Sequence, residues 1–295
     1  MQAFDESELK KLYLPPPNSH KGQNGKLLLI SGSKLFHSSS LWALKVASRI
    51  VDMVFYSSVQ ENNELVQKAK EEFRDGIVIP RNKIENYIVE ADCILIGSGL
   101  PRKEGQGVGD DDTKILTESL LKKYPSKKWV IDGGSLQVLD PQLIPNNAIL
   151  TPHFKEFEIL KLKTQMSKLK TKTQNSKLQE QVEIFAKTYN CTVVLKGPTD
   201  IVCGLDKSVR PPTLRLRRVE GGNAGMTKGG TGDVLAALIA SLYCKNDDPF
   251  LVASIGSYIN KKAGESLFTK VGYYFNSSDL VDEIPKVMKE ILSSV

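Results

Sequence analysis

The chain has 295 residues, 40% of them hydrophobic, enough to bury a large core as one α/β domain or two smaller ones. No apolar run reaches the roughly eighteen residues of a membrane-spanning helix, and the opening MQAFDESELKKLYLPPP lacks the apolar core of a signal peptide. The net charge of +6 would suit an anionic ligand without calling for nucleic acid.

In chain order, KLLLISG (26–32) reads as a buried strand, SSSLWALKVASRIV (38–51) as a helix and MVFYSSV (53–59) as a second strand. ADCILIGSG (91–99) is a further strand, and DTKILTESLLKKY (112–124) has helical spacing. WVIDGG (129–134), AILTPH (148–153) and TVVLKG (192–197) repeat one form: a short β-branched run that stops at Gly, Asp or His. DVLAALIASLYC (233–244) and FLVASIGSYINKKAGESLF (250–268) read as helices, the second opened by Asp248-Pro249, a cap residue before a first-turn proline. This alternation indicates an α/β fold with a largely parallel central sheet. Ligands bind such sheets beyond the carboxyl ends of the strands, where Gly97, Gly99, Asp132, His153 and Lys196 fall. KLKTQMSKLKTKTQNSK (161–177) carries six lysines and no acid. Without interleaved aromatics it reads as a solvated loop or helix end, not a nucleic-acid surface. The cysteines, Cys93, Cys191, Cys203 and Cys244, stand singly, three of them in or beside apolar runs. Reduced, buried thiols in a cytoplasmic protein are expected, with no zinc site.

The most informative stretch is GGNAGMTKGGTGD (221–233). Gly229-Gly230-Thr231-Gly232 runs straight into a helix that is apolar almost all round and therefore buried. The free N–H groups and dipole of its first turn make an anion site, and glycine lets a phosphate approach the backbone. Neither standard nucleotide fingerprint fits, since Lys228 is followed by glycine and no strand leads into a G-x-G-x-x-G. Asp233 reads equally well as an N-cap or as a base that takes a proton from an attacking hydroxyl beside the phosphate. On residue type alone His153 reads as structural, Lys196 equally well as a surface lysine or a site residue, and Asp132 as consistent with a turn-former. His37 has no evident partner.

The unit G-N-x-x-x-x-K-G-G-T-G-D before a buried helix resembles the ADP-dependent NAD(P)H-hydrate dehydratases of the ribokinase-like superfamily. LPPPNSHKGQNGKLLLISGS (14–33) is similar to that family's N-terminal signature, which puts His20 and Lys21 at the edge of the site. ILTPHFKEFEIL (149–160) is similar to its Thr-Pro-His segment with a downstream Glu-Phe, and VVLKGPTDIV (193–202) to its Lys-Gly nucleotide loop. The resemblance covers most of the chain. It implies a single domain over 1–295, a three-layer αβα sandwich, with no fused epimerase domain, so that any epimerisation needs a separate protein. It implies that Asp233 is the base, with Gly229, Gly230, Thr231 and Gly232 around the anion hole. Lys196, Gly197, Pro198, Thr199, Asp200 and Asn223 would bind the nucleotide. Ser39, Ser40, Gly99, Asp132 and His153 would join Asp233 on the acceptor side. The activity implied is repair of NADH hydrate or NADPH hydrate: a phosphoryl group passes from ADP, or ATP, to the C6 hydroxyl and leaves as phosphate. Mg²⁺ would be carried by nucleotide and water with no protein ligands, and a homotetramer is implied.

The chain departs from the family on the acceptor side. Gly97-Ser98-Gly99 stands where Gly-Pro-Gly is usual, Asp132-Gly133-Gly134-Ser135-Leu136 replaces Asp-Ala-Asp-Ala-Leu, and His37-Ser38-Ser39-Ser40 replaces a small-residue turn. A small-molecule kinase of the same superfamily, or a nucleotide-binding protein without turnover, are the alternatives these departures leave open.

Overall fold

The computed structural model describes residues 1–102, 112–164, 178–206, 209 and 212–293. The first half of the chain forms β1 (Gln2–Ala3), β2 (Lys26–Ile30), α1 (Ser38–Ala47), β3 (Met53–Ser57), α2 (Gln60–Ala69), β4 (Ile77–Val78), α3 (Ile84–Glu90), β5 (Cys93–Ile96), α4 (Thr113–Lys123) and β6 (Lys128–Ile131). There follow α5 (Gly133–Val138), β7 (Ile149–Leu150), α6 (Phe154–Leu162), α7 (Leu178–Thr188), β8 (Thr192–Leu195), β9 (Asp200–Asp206) and β10 (Thr213–Val219). Three helices close the chain: α8 (Thr231–Tyr243), α9 (Pro249–Val271) and α10 (Ser277–Ser293).

Ten strands form one sheet in the order β1-β10-β9-β8-β7-β6-β5-β2-β3-β4, and among the described residues only β9 runs against both neighbours. The inner strands are apolar on both faces because helices cover both. Side chains alternate along each strand. Leu27 and Leu29 therefore join the core under α1, α8, α9 and α10, while Leu28 and Ile30 join the core under α3 to α7. The three layers of the expected fold follow directly. From Val234 to Tyr243 every residue of α8 is buried, as its all-round apolar sequence requires.

The strands read as 91–99, 129–134, 148–153 and 192–197 are shorter in the structure, stopping at Ile96, Ile131, Leu150 and Leu195. The residues beyond have left the ladder to become site loops; Gly97, for instance, has φ 118°. The helix read over 38–51 ends at Ala47, and α9 continues past 268 to Val271 before Gly272 turns away at φ 62°. Asp248 caps α9 as its sequence indicates, accepting from the Phe250 and Leu251 N–H groups ahead of the first-turn proline. The β9–β10 hairpin was not read from the sequence, although TLRLRRV alternates at period two: Leu214 and Leu216 pack on one core while Arg215 and Arg217 lie over the Phe250 ring on the other face.

From β2 the chain steps outward to β3 and β4, then returns to β5 on the other flank of β2. That reversal opens a crevice at the carboxyl ends of β2 and β5, closed across by a bond from Gly32 N–H to Ser98 O, 2.9 Å. All four cysteines are buried and free. Among the described residues no helix is long and apolar enough to cross a membrane. The lysine-rich segment begins as the end of α6; residues 165–177 lie outside the described residues.

Candidate active site

Gly230 is the N-cap of α8, at φ 95°, and a Cβ on it would lie 2.0 Å from the Trp42 ring. Only glycine fits there. Asp233 is therefore not the cap; it is the third helical residue, and its carboxylate accepts from Ser39 Oγ at 2.7 Å. The N–H groups of Gly232 and Asp233 have no carbonyl a turn behind them, and no side chain caps this helix end. Three ties hold the approach loop: Ser277 Oγ donates to Gly229 O at 2.8 Å, and Thr231 Oγ1 bonds Met226 O and Lys228 O.

Opposite this helix end, Asp132 follows β6 and Lys196 follows β8. Lys196 Nζ sits 3.0 Å from Asp132 Oδ1, and a Cβ on Gly232 would be 3.1 Å from the same Nζ. Thr151 Oγ1 donates to Asp132 Oδ1 at 2.7 Å and Ser98 Oγ to Oδ2 at 3.0 Å, so both oxygens of this buried carboxylate are engaged. Burial alone would lower the Lys196 pKa, but the Asp132 and Glu156 carboxylates outweigh it and hold the ammonium above its ordinary value. Asp233 is also raised, which for a carboxyl favours the neutral form. Desolvation first, then the Asp132 charge, raise its carboxyl from 3.8 to about 6, against the Ser39 hydrogen bond and the Lys196 and Arg102 charges.

A cleft of about 640 Å³ runs from this cluster between the 196–200 turn, the 221–227 loop and α9. His153, Lys196, Gly197, Pro198, Asp200, Asn223, Thr231 and Gly232 line it, as do Leu235, Met226, Asn260 and Lys261. Within that lining Asp200 and Asn223 already have structural partners. Asp200 is buried, accepts from Gly197 N–H and Ser257 Oγ, and pairs with Lys261 at 3.4 Å. Lys261 Nζ also donates to the carbonyls of Gly197, Pro198 and Gly221, joining both loops to α9. Asn223 bonds Gly225 N–H and Gly264 O. His153 caps α6 in a capping box with Glu156 while its ring reaches the cleft. Thr199 is exposed at the tip of its turn and does not line the cleft, nor do Gly229 and Gly230, which shape the loop behind it.

Just past Gly232 lie the residues expected on the acceptor side. A Cβ on Gly99 would be 2.8 Å from Ser39 Oγ, so Gly99, Ser39 and Asp233 meet at one point. Ser40 does not join them. It is wholly buried, and its Oγ accepts from Tyr56 and Asn62. The chain's departure at Gly134 has a steric cause: a Cβ there would fall 2.4 Å from Leu100 O and 2.6 Å from Pro101 O, so no second acid can stand at that position in this fold.

Ser98 and Thr151, which hold Asp132, were missed in the sequence, as were Lys261, Asn260 and Trp42. The His-x-x-Glu spacing of the α6 cap was a legible signal for Glu156; the others are joined to their partners only by long-range packing.

A sequence profile of the NAD(P)H-hydrate dehydratase family matches residues 27–286. The chain belongs to this family. It is 34% identical over 293 residues to the bifunctional NAD(P)H-hydrate repair enzyme of Methanocaldococcus jannaschii, covering 96% of this chain and 52% of that one. It is 31% identical to the ADP-dependent (S)-NAD(P)H-hydrate dehydratase of Nitrosopumilus maritimus, covering 95% of each. The chain thus spans about half the length of the bifunctional relatives it matches. Among solved structures, a ribokinase-like superfamily protein from Enterococcus faecalis superposes with a TM-score of 0.80 at 20% identity, over 98% of this chain and 96% of that one. The ADP/ATP-dependent NAD(P)H-hydrate dehydratase of Bacillus subtilis, co-crystallized with ATP/Mg²⁺, gives 0.70 at 20% identity over 98% of each. The fold is ribokinase-like.

Proposed function

We propose that this chain restores NADH and NADPH from their C6-hydrated forms, using ADP to convert the C6 hydroxyl into a phosphate that leaves. The observation that carries this reading is the placement of one carboxyl, Asp233, beside open backbone amides and a half-buried ammonium. Hydroxide is a poor leaving group and phosphate a good one, so phosphorylation turns loss of water into an easy elimination assisted by the ring nitrogen. Asp233, raised to about 6, is ionised at neutral pH yet basic enough to take the hydroxyl proton. Ser39 fixes its orientation. The Gly232 and Asp233 amides and Lys196 would stabilise charge on the migrating group from positions already fixed by the fold.

The donor set fits a nucleotide-borne Mg²⁺. Asp132 already takes bonds at both oxygens, from Thr151 and Lys196 at Oδ1 and from Ser98 at Oδ2. Mg²⁺ on the donor phosphates would neutralise their charge. A cytoplasmic location and a symmetric homotetramer belong to the same reading.

The test is to incubate the protein with NADH hydrate, ADP and Mg²⁺ and follow the reduced-nicotinamide absorbance. Recovery with one phosphate released per turnover is expected, and ATP in parallel ranks the donors. Accumulation of a stable phosphorylated product, without recovery, would make the chain a kinase.

A further inference from the structure

Two exposed side chains stand beside the residues expected on the acceptor side and have no part in the chemistry above. Leu35 and Phe36, in the loop from β2 to α1, are 75% and 40% exposed. A single apolar residue at the surface needs no explanation, but consecutive ones at the mouth of a crevice mark a place where something docks. The loop that carries them is tied down. Ser33 Oγ accepts from Phe36 N–H at 3.1 Å, Lys34 pairs with Glu61 at 2.7 Å, and His37 Nδ1 lies 3.2 Å from Asn62 Oδ1. Its polar members are thus spent on holding it, and its two apolar members are left to solvent.

Across the crevice stands Arg102, exposed, in the connection from β5 to α4. Its guanidinium carbon lies 5.8 Å from the centroid of the Phe36 ring, within range of a cation–π contact. These two loops leave the point where the sheet order reverses, and they meet three times with rising exposure. Buried Gly32 and Ser98 close the floor. Ser39 and half-buried Gly99 come next, beside Asp233. Phe36, three residues before Ser39, and Arg102, three after Gly99, make the rim. Desolvation dominates at the Asp233 carboxyl, and the Arg102 charge is one of those acting against it, so the guanidinium is within electrostatic reach of the base. With its C6 hydroxyl at Asp233, a hydrated nicotinamide would fill the middle level, and the ribose and phosphates it carries would run outward past this rim. A guanidinium presents N–H pairs matched to phosphate oxygens, and a ring beneath it fixes its plane.

We infer that Phe36 and Arg102 form an outer subsite for the acceptor, Arg102 donating to the pyrophosphate oxygens of the hydrated dinucleotide while the Phe36 ring holds the guanidinium flat. The inference deepens the function proposed above and rests on Asp233 being the acceptor's base.

Calorimetric titration of the full chain with NADH hydrate, without donor so that nothing turns over, tests it, with ADP titrated separately. Hydrate affinity of the native chain should fall as salt rises from about 0.05 to about 0.5 M. Arg102→Gln should bind hydrate roughly tenfold more weakly or worse, with most of that salt dependence gone and ADP affinity within about twofold. Arg102→Lys, which keeps the charge but not the fork, should recover only part of the loss. Phe36→Leu, which keeps the bulk but not the ring, should weaken hydrate binding about threefold. Both side chains are exposed, so urea unfolding should show the variants as stable as the native chain. Unchanged hydrate affinity in Arg102→Gln overturns the inference, as does a loss of ADP affinity as large as that of hydrate. A native chain that neither binds NADH hydrate nor restores it with ADP and Mg²⁺ removes the proposed function and this subsite with it.

Discussion

The two ends of the cleft are built on opposite terms. At the proposed donor end the backbone faces the cleft: Gly221, Gly222 and Gly232 bring main chain to the surface, and the first amides of α8 stand open. At the acceptor end the polar side chains are already engaged. Asp132 takes bonds from Ser98, Thr151 and Lys196, Asp233 from Ser39, and Ser40 from Tyr56 and Asn62. The difference follows from what each end would receive. A nucleotide brings its own oxygens, which unfilled N–H groups can meet. A hydroxyl about to lose a proton needs a base whose position is fixed before it arrives, because any reorganisation would add to the barrier.

The sharpest way to separate the ends is Asp233→Asn. Turnover of hydrate should fall about 10³-fold, the range for losing a positioned general base, while ADP affinity by calorimetry stays within about threefold. Stability should move the opposite way. The carboxyl is raised in the folded state, so its ionised form opposes folding once the pH exceeds the ordinary 3.8, and fully above about 6. The variant should therefore be more stable at pH 7 by about 1–2 kcal/mol in urea unfolding, after allowing for the lost Ser39 bond. That advantage should vanish below about pH 4.

Lys261→Met attacks the donor end alone. It leaves the Asp200 carboxylate buried without its cation and frees the 197–198 and 221 carbonyls, so a loss of about 3 kcal/mol is expected. In the folded fraction, KM for ADP should rise while KM for the hydrate does not; an equal rise in both would mean that the ends are mechanically one. The smallest effect is expected from Ser39→Ala. The Ser39 bond draws the Asp233 carboxyl downward, so without it the acid limb of kcat/KM should move up from near pH 6 by about half a unit to one unit. An unmoved limb would place the rate-determining base elsewhere.

The strands, the buried helix and the glycine turn were legible in the sequence because each is a local pattern: β-branched runs, all-round apolarity, residues able to take positive φ. The pairings were not. Asp132 and Lys196 are 64 residues apart, Ser39 and Asp233 194 apart, and only the sheet order brings them together. Ser39 and Ser40 looked alike as candidates, yet neighbouring residues on a helix point about 100° apart, so no more than one could face Asp233. The missing second acid at Gly134 read as a change in the acceptor site; it is explained by backbone from the loop after β5 occupying the space of a side chain.

The turn ahead of α8 depends on two distant parts of the chain, Trp42 against Gly230 and Ser277 on Gly229. During translation all ten strands and the whole of α8 are made before Ser277 is added. A chain at that stage still lacks Leu280, Val281, Ile284 and Val287 from the core, and one brace of the turn ahead of α8. The closing of this core layer and the bracing of the turn therefore wait on the same late segment, α10.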